Sequence, residues 1–80
     1  MLHVFIGNNI NVNDSLIVKK GTLVVGTDFN LNGAKGVLNI SEMGHVHVKN
    51  DFNQGSTLYG KQNLVVEGEY NEDNANQTFE

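Results

Sequence analysis

Cysteine, proline, tryptophan and arginine are all absent from these 80 residues, and each absence removes a class of explanation. Without Cys there is no disulfide framework and no thiolate metal site, and the redox compartment stays open. Without Arg, and with five Lys against nine acids for a net charge of −4, no cationic cluster can displace counterions from a phosphate backbone. Nucleic acid is therefore not an expected partner. Long apolar runs are missing too. Met1-Leu2-His3-Val4-Phe5-Ile6 lacks a basic start and is broken by Gly7-Asn8-Asn9, too early for a signal peptide or a membrane span, so no membrane insertion is expected. No phosphate loop, dinucleotide fingerprint or Ser/His/Asp set can be assembled, and the chain reads as non-enzymatic.

What is abundant is Asn, at thirteen positions, with Gly at nine. A chain this short buries only about 60 to 65% of its unfolded surface, so whatever covers its ends matters. One octad occurs three times: Leu23-x-Val25-x-x-Asp28-Phe29-Asn30, Val46-x-Val48-x-x-Asp51-Phe52-Asn53 and Leu64-x-Val66-x-x-Glu69-Tyr70-Asn71. A degenerate fourth copy is expected at Ile10-x-Val12-x-x-Ser15-Leu16-Ile17, with Leu16 in the aromatic place. The aromatic residues are 23 and 18 positions apart, close to the roughly twenty residues of one coil in many parallel β-solenoids. Further pairs, Leu38-x-Ile40 and Leu58-Tyr59, imply about three strands per turn. The apolar pairs have the period of two that a strand imposes, and no helical period is visible. Gly21, Gly26, Gly33, Gly36, Gly44, Gly55, Gly60 and Gly68 fall between them as corners.

The expected fold is accordingly all-β, a parallel β-solenoid (β-helix) of about four coils, with Phe29, Phe52 and Tyr70 stacked in its core. Residues 1–71 form one repeat domain, and 72–80 are a polar tail or the truncated start of another repeat. The alternative is an antiparallel β-sandwich or meander, which shows similar strands and turns. The repeated acid-aromatic-Asn triplet favours stacked coils, because stacking sets like on like.

The stretches Gly21-Thr22-Leu23-Val24-Val25-Gly26-Thr27-Asp28-Phe29-Asn30 and Gly36-Val37-Leu38-Asn39-Ile40-Ser41 resemble the passenger β-helix of bacterial autotransporter and haemagglutinin-type adhesins. Those families repeat a Gly-x-Leu-x-Val phrase followed by a Gly-Asp-aromatic phrase. Gly68-Glu69-Tyr70-Asn71 is similar to the second, with Glu69 in place of Asp. The resemblance covers about residues 10–70 and implies an extracellular or bacterial cell-surface location. It carries over no catalytic residue, and the family's usual length, translocator barrel and signal peptide are not in this sequence. Bactofilin-type polymers share the architecture.

Asp28, Asp51 and Glu69 occupy one octad position, so stacked coils would set like charges about 4.8 Å apart, which is unfavourable unless relieved. Solvation at corners is one relief. A calcium ladder completed by Asn30, Asn53 and Asn71 is another, since Ca²⁺ takes oxygen ligands. Use of these acids on a polysaccharide comes last, as the chain has no spare residues for a cleft. His45 and His47 share a strand face but are too few to hold a metal, and His3 has no evident partner. Three sequons, at Asn13, Asn39 and Asn76, stand against roughly one expected by chance from this composition, so glycosylation is an open reading and Asn-rich composition the simpler cause.

The leading functional expectation is a structural and adhesive module, a piece of an extracellular β-solenoid that extends a rod and presents a polar face to a glycan or protein. A self-assembling scaffold joined through open solenoid ends is the second. A small acidic inhibitor or immunity-type protein acting on a basic enzyme is the third.

Overall fold

Leu23 and Val25 are buried while Thr22 before them and Val24 between them are not, and the same alternation recurs at Leu38/Ile40 and Val46/Val48. An extended backbone throws successive side chains to opposite sides, so each short segment has one face that must be covered. The chain covers it by coiling. The computed structural model describes residues 3–33, 35–72 and 78–79, and every strand pairing in it is parallel. The protein is a β-solenoid of about four turns, and the hairpin pairings of an antiparallel sandwich or meander do not occur among the described residues.

Three faces run along the axis. The first contains β1 (His3–Ile6), the second half of β3 (Ser15–Val25), the second half of β5 (Val37–Val48) and β8 (Leu64–Val66). The second contains β2 (Ile10–Val12), β4 (Phe29–Leu31), β6 (Phe52–Gln54) and β9 (Tyr70–Glu72). The third contains the first halves of β3 and β5, then β7 (Thr57–Tyr59) and β10 (Thr78–Phe79). β3 and β5 therefore bend through a corner without ending.

The registers place like on like. Phe29 pairs with Phe52 and Phe52 with Tyr70, and their rings stack with centroids 5.1 and 5.2 Å apart at 24° and 22°. Such contacts are worth about 0.5 to 1.5 kcal/mol per pair beyond burial. The register also corrects the first repeat. Phe29 pairs with Ile10, Leu23 with Val4 and Val25 with Ile6, so the first copy is Val4-x-Ile6-x-x-Asn9-Ile10-Asn11 and not the Ile10-to-Ile17 octad. Leu16 instead heads a column on the third face with Leu38 and Leu58. The correction has a simple cause: Ile10 fills the aromatic place, and a β-branched residue there packs on a ring as well as Leu16 would.

Unequal coil lengths arise at corners and leave the columns untouched. The corner between the second and third faces uses residues 13–14 in the first coil and 55–56 in the third, but 32–36 in the second. The second coil gains one more residue at a bulge opposite Val18 to Lys20, where Ser41 Oγ donates to the carbonyls of Val18 and Lys19 at 3.1 and 2.5 Å. These insertions produce the long aromatic spacing. In the third coil Gly60 and a short 3₁₀ turn, Lys61–Asn63, cut the corner instead, and Asn63 Nδ2 donates to the carbonyls of Ser41 and Glu42 at the bulge. Gly60 has φ of 84°, and a Cβ there would lie 2.0 Å from the Ile40 carbonyl oxygen, so only glycine fits. Gly44, paired with Gly21 at the bend of β5, is nearly as tight: its Cβ would lie 2.3 Å from the Val18 carbonyl oxygen.

The core is one apolar column set, from Val12, Leu23 and Val25 through Phe29, Leu31 and Leu38 to Val48, Phe52 and Leu58. Glu72 closes β9 and Thr78–Phe79 pair with β7, so these residues of the segment read as a polar tail or a truncated further repeat take part in the fourth coil. Residues 73–77 and 80 lie outside the described residues. Among the described residues no helix is long and apolar enough to cross a membrane.

Candidate functional site

Outward positions of β2, β4, β6 and β9 are all Asn. Asn11, Asn30, Asn53 and Asn71 share one register column, and their amides form a continuous ladder. Asn30 Nδ2 donates to Asn11 Oδ1 at 2.9 Å, Asn53 Nδ2 to Asn30 Oδ1 at 2.7 Å, and Asn71 Nδ2 to Asn53 Oδ1 at 2.8 Å. A primary amide carries both a donor and an acceptor, and the strand spacing matches one hydrogen bond per step. The ladder therefore stiffens the second face and points every bond the same way.

Two residues earlier runs a column of acids. Asp28 Oδ1 accepts the Asp51 N–H at 3.2 Å and Asn50 Nδ2 at 2.7 Å, and Asp51 Oδ1 accepts the Glu69 N–H at 3.0 Å. Asn9 begins the column: its Oδ1 accepts the Asp28 N–H at 3.1 Å and the Thr27 hydroxyl. Each side chain thus satisfies a corner amide of the following coil, a charge-assisted bond where the acceptor is a carboxylate. That, with corner solvation, relieves the stacking of like charges. Asn30, Asn53 and Asn71, expected beside the acids as calcium ligands, bond to one another instead. Among the described residues no three His, Cys, Asp or Glu side chains are grouped so as to hold a metal ion.

His45 and His47 do share the outer side of the first face. His47 Nε2 lies 2.5 Å from Glu67 Oε2 in the next coil, and His45 is aligned with Thr22, which is in turn aligned with His3. Asn13 and Asn39 are exposed, and Asn76 lies outside the described residues. On the third face Tyr59 and Phe79 stack outside the core at 4.9 Å.

No family model, curated protein or solved structure matches this chain. The solenoid's own geometry must carry the functional argument.

The two ends of the core differ in chemistry. At the C-terminal end Gln54 and Ser56 are polar yet buried. Gln54 Oε1 accepts the Tyr70 hydroxyl, its Nε2 donates to the Ser56 carbonyl at 2.9 Å and to Thr78 Oγ1 at 2.8 Å, and Thr78 Oγ1 reaches Glu72 Oε2 at 2.8 Å. Ser56 Oγ donates to the Gly36 carbonyl at 2.6 Å. Burial, and then the Glu72 carboxylate, push the Tyr70 phenol up from 10.0 to about 12, so it stays a neutral donor at ordinary pH. Lys61 Nζ lies 4.8 Å from the centre of the Tyr70 ring, a cation–π contact.

At the N-terminal end the core carries no such network among the described residues. Val4, Ile6, Ile10, Leu16 and Leu23 line an open apolar cavity of about 520 Å³, with Lys19 and Lys20 also on its wall. Sequence reasoning missed Asn9, Asn11, Gln54, Ser56 and Thr78. The first two are recoverable by stepping back nineteen residues from Asp28 and Asn30; nothing in the sequence marks the last three, because polar residues at strand ends read as surface.

Proposed function

We propose that this chain is a non-enzymatic structural and adhesive module, a segment of an extracellular solenoid rod that presents a polar face to a glycan or protein. The observation that supports this reading best is the unbroken amide ladder from Asn11 to Asn71, flanked by the column from Asn9 to Glu69. It makes one face stiff, regularly spaced and rich in donors and acceptors. Repeating hydroxyls of a polysaccharide, or the backbone of an extended peptide, offer the matching groups. Among the described residues the cavity at the N-terminal end is lined by aliphatic side chains, Thr22 and two lysines and by no acid to serve as a proton donor, which supports a non-catalytic role. The adhesin-like phrases around Gly21-Thr22-Leu23 and Gly68-Glu69-Tyr70 support a cell-surface location.

The test is binding of the immobilised chain to arrayed glycans and extracellular-matrix proteins, alongside the variant Asn30→Ala/Asn53→Ala. The expected outcome is binding by the parent and at least about a tenfold loss in the variant, equal to 1.4 kcal/mol, with the circular-dichroism spectrum retained. Retained binding in the folded variant, or no binding by the parent, would refute the reading.

A further inference from the structure

We propose that Asn32 is a site of spontaneous covalent modification: in the folded chain it cyclises onto the Gly33 nitrogen, loses ammonia and reopens with water to an isoaspartyl or aspartyl residue, while the amide ladder stays intact. This goes beyond the binding role of the polar face: it concerns the corner at residues 32–36 and holds whatever the face contacts.

Sequence and structure single out the same residue. Asn is a thermolabile side chain, and of the thirteen in this chain Asn32 alone is followed by Gly. The main-chain nitrogen of the next residue must reach the Asn Cγ, and a side chain on that residue stands in its way. Glycine has none and leaves the backbone able to rotate. Asn32 and Gly33 are both exposed. Gly33 has φ of 78°, and a Cβ built on it would meet no atom within 4 Å, so the corner is open to water there. Among the described residues no hydrogen bond holds the Asn32 side-chain amide or the Gly33 N–H. The ladder residues differ in each respect. Asn11, Asn30, Asn53 and Asn71 lie inside strands, precede Val12, Leu31, Gln54 and Glu72, and have their amides bonded to a neighbouring rung.

The step balances with water alone. Hydroxide takes the Gly33 N–H proton, and the nitrogen forms a bond to Asn32 Cγ. The bond from Cγ to Nδ2 breaks, and Nδ2 takes a proton from water and leaves as ammonia. Water then opens the five-membered imide at one of its two carbonyls. Opening at Cγ gives aspartate. Opening at the main-chain carbonyl gives isoaspartate, in which the chain runs through Cβ and Cγ and is one carbon longer. Either product adds a negative charge two residues beyond the Asn30 rung, at the edge of the polar face.

The fold can absorb the longer linkage at this place. The corner spans residues 32–36, where its counterparts use only 13–14 and 55–56. Leu31 before it is paired with Val12 and Gln54, and Val37 after it with Ser15 and Thr57. The Asn32 N–H donates to the Val12 carbonyl at 2.8 Å, and that nitrogen precedes the altered bond. The extra carbon therefore stays in the corner, and the columns on both sides keep their level.

The test is to age the full folded chain at mildly alkaline pH in heavy-oxygen water, digest it at lysine in ordinary water, and sequence the peptide between Lys20 and Lys35 by electron-transfer fragmentation. That method separates isoaspartate from aspartate, and the heavy label separates ageing from conversion during digestion. Asn32 should convert at least about tenfold faster than any ladder Asn, with heavy oxygen incorporated and isoaspartate among the products. The aged protein should keep its circular-dichroism spectrum and its cooperative melting. Asn32→Gln, whose longer side chain would have to close a larger ring, should show no conversion at this position. The proposal is overturned if Asn32 stays intact in the folded chain while it converts in urea, or if a ladder Asn converts as fast. Aspartate formed without isoaspartate, or an aged protein that has lost its melting transition, would overturn it too. A failure here leaves glycan or protein binding by the polar face intact, since that is read in a separate measurement.

Discussion

At the first coil the core ends on Val4, Ile6, Ile10 and Leu16, aliphatic side chains facing an open cavity. At the last coil it ends on Tyr70, tied through Gln54 and Thr78 to Glu72. Both ends continue the same columns, so the difference lies in the side chains and not the backbone. Aliphatic burial is non-directional and rewards any apolar cover. A buried polar network rewards one geometry and is costly when a member is lost. The first coil is accordingly the adaptable end, and the last coil the specified one.

Phe52→Ala should have the largest effect, because Phe52 is fully buried between Phe29 and Tyr70 and links the two ends. A loss of about 3 to 5 kcal/mol is a large share of the stability of so small a domain. Urea unfolding should show both ends melting together. At the open end, Ile10→Ala occupies the same column but is already partly in water, and should cost about 1 to 2 kcal/mol. Equal losses at the two positions would abolish the contrast between middle and end.

Gln54→Ala tests the specified end. It removes one partner of the Tyr70 hydroxyl, which keeps Thr78 and Glu72 beside it, and a cost of about 1 to 3 kcal/mol is expected, with amide hydrogen exchange accelerated in β9 and β10 before the first coil. The smallest effect is that of pH. The Tyr70 phenol is raised from 10.0 to about 12 in the folded protein, so the folded state holds its proton more tightly than the unfolded state. That contribution to stability is fully present below pH 10.0 and is lost as pH rises toward about 12. The melting temperature should fall across this window in the parent, and less so in Tyr70→Phe, which also lacks the hydroxyl bond.

The central coils were legible because Phe29, Phe52 and Tyr70 recur beside an acid and an Asn, and no other strand arrangement asks for that repetition. The first coil was harder. Ile10 replaces the aromatic residue and Asn9 the acid, so the octad loses both of its distinctive letters while keeping its shape. The acids were located but their partners were not: Asp28 and Asp51 bond to backbone amides of the following coil, and backbone groups leave no trace in a sequence motif. Gln54 was invisible for the opposite reason. It takes the inward place that Val12 and Leu31 hold above it, where only the presence of Ser56, Thr78 and Tyr70 in space makes an amide tolerable.

The corner at residues 32–36 is longer than those at 13–14 and 55–56, yet the columns on either side of it stay in register. Height along the axis is set by strand pairing, while circumference is free to vary at this corner. A foreign peptide grafted beside Gly33 would consequently be displayed at a fixed level on the rod, its position dictated by the coil count and not by its own length.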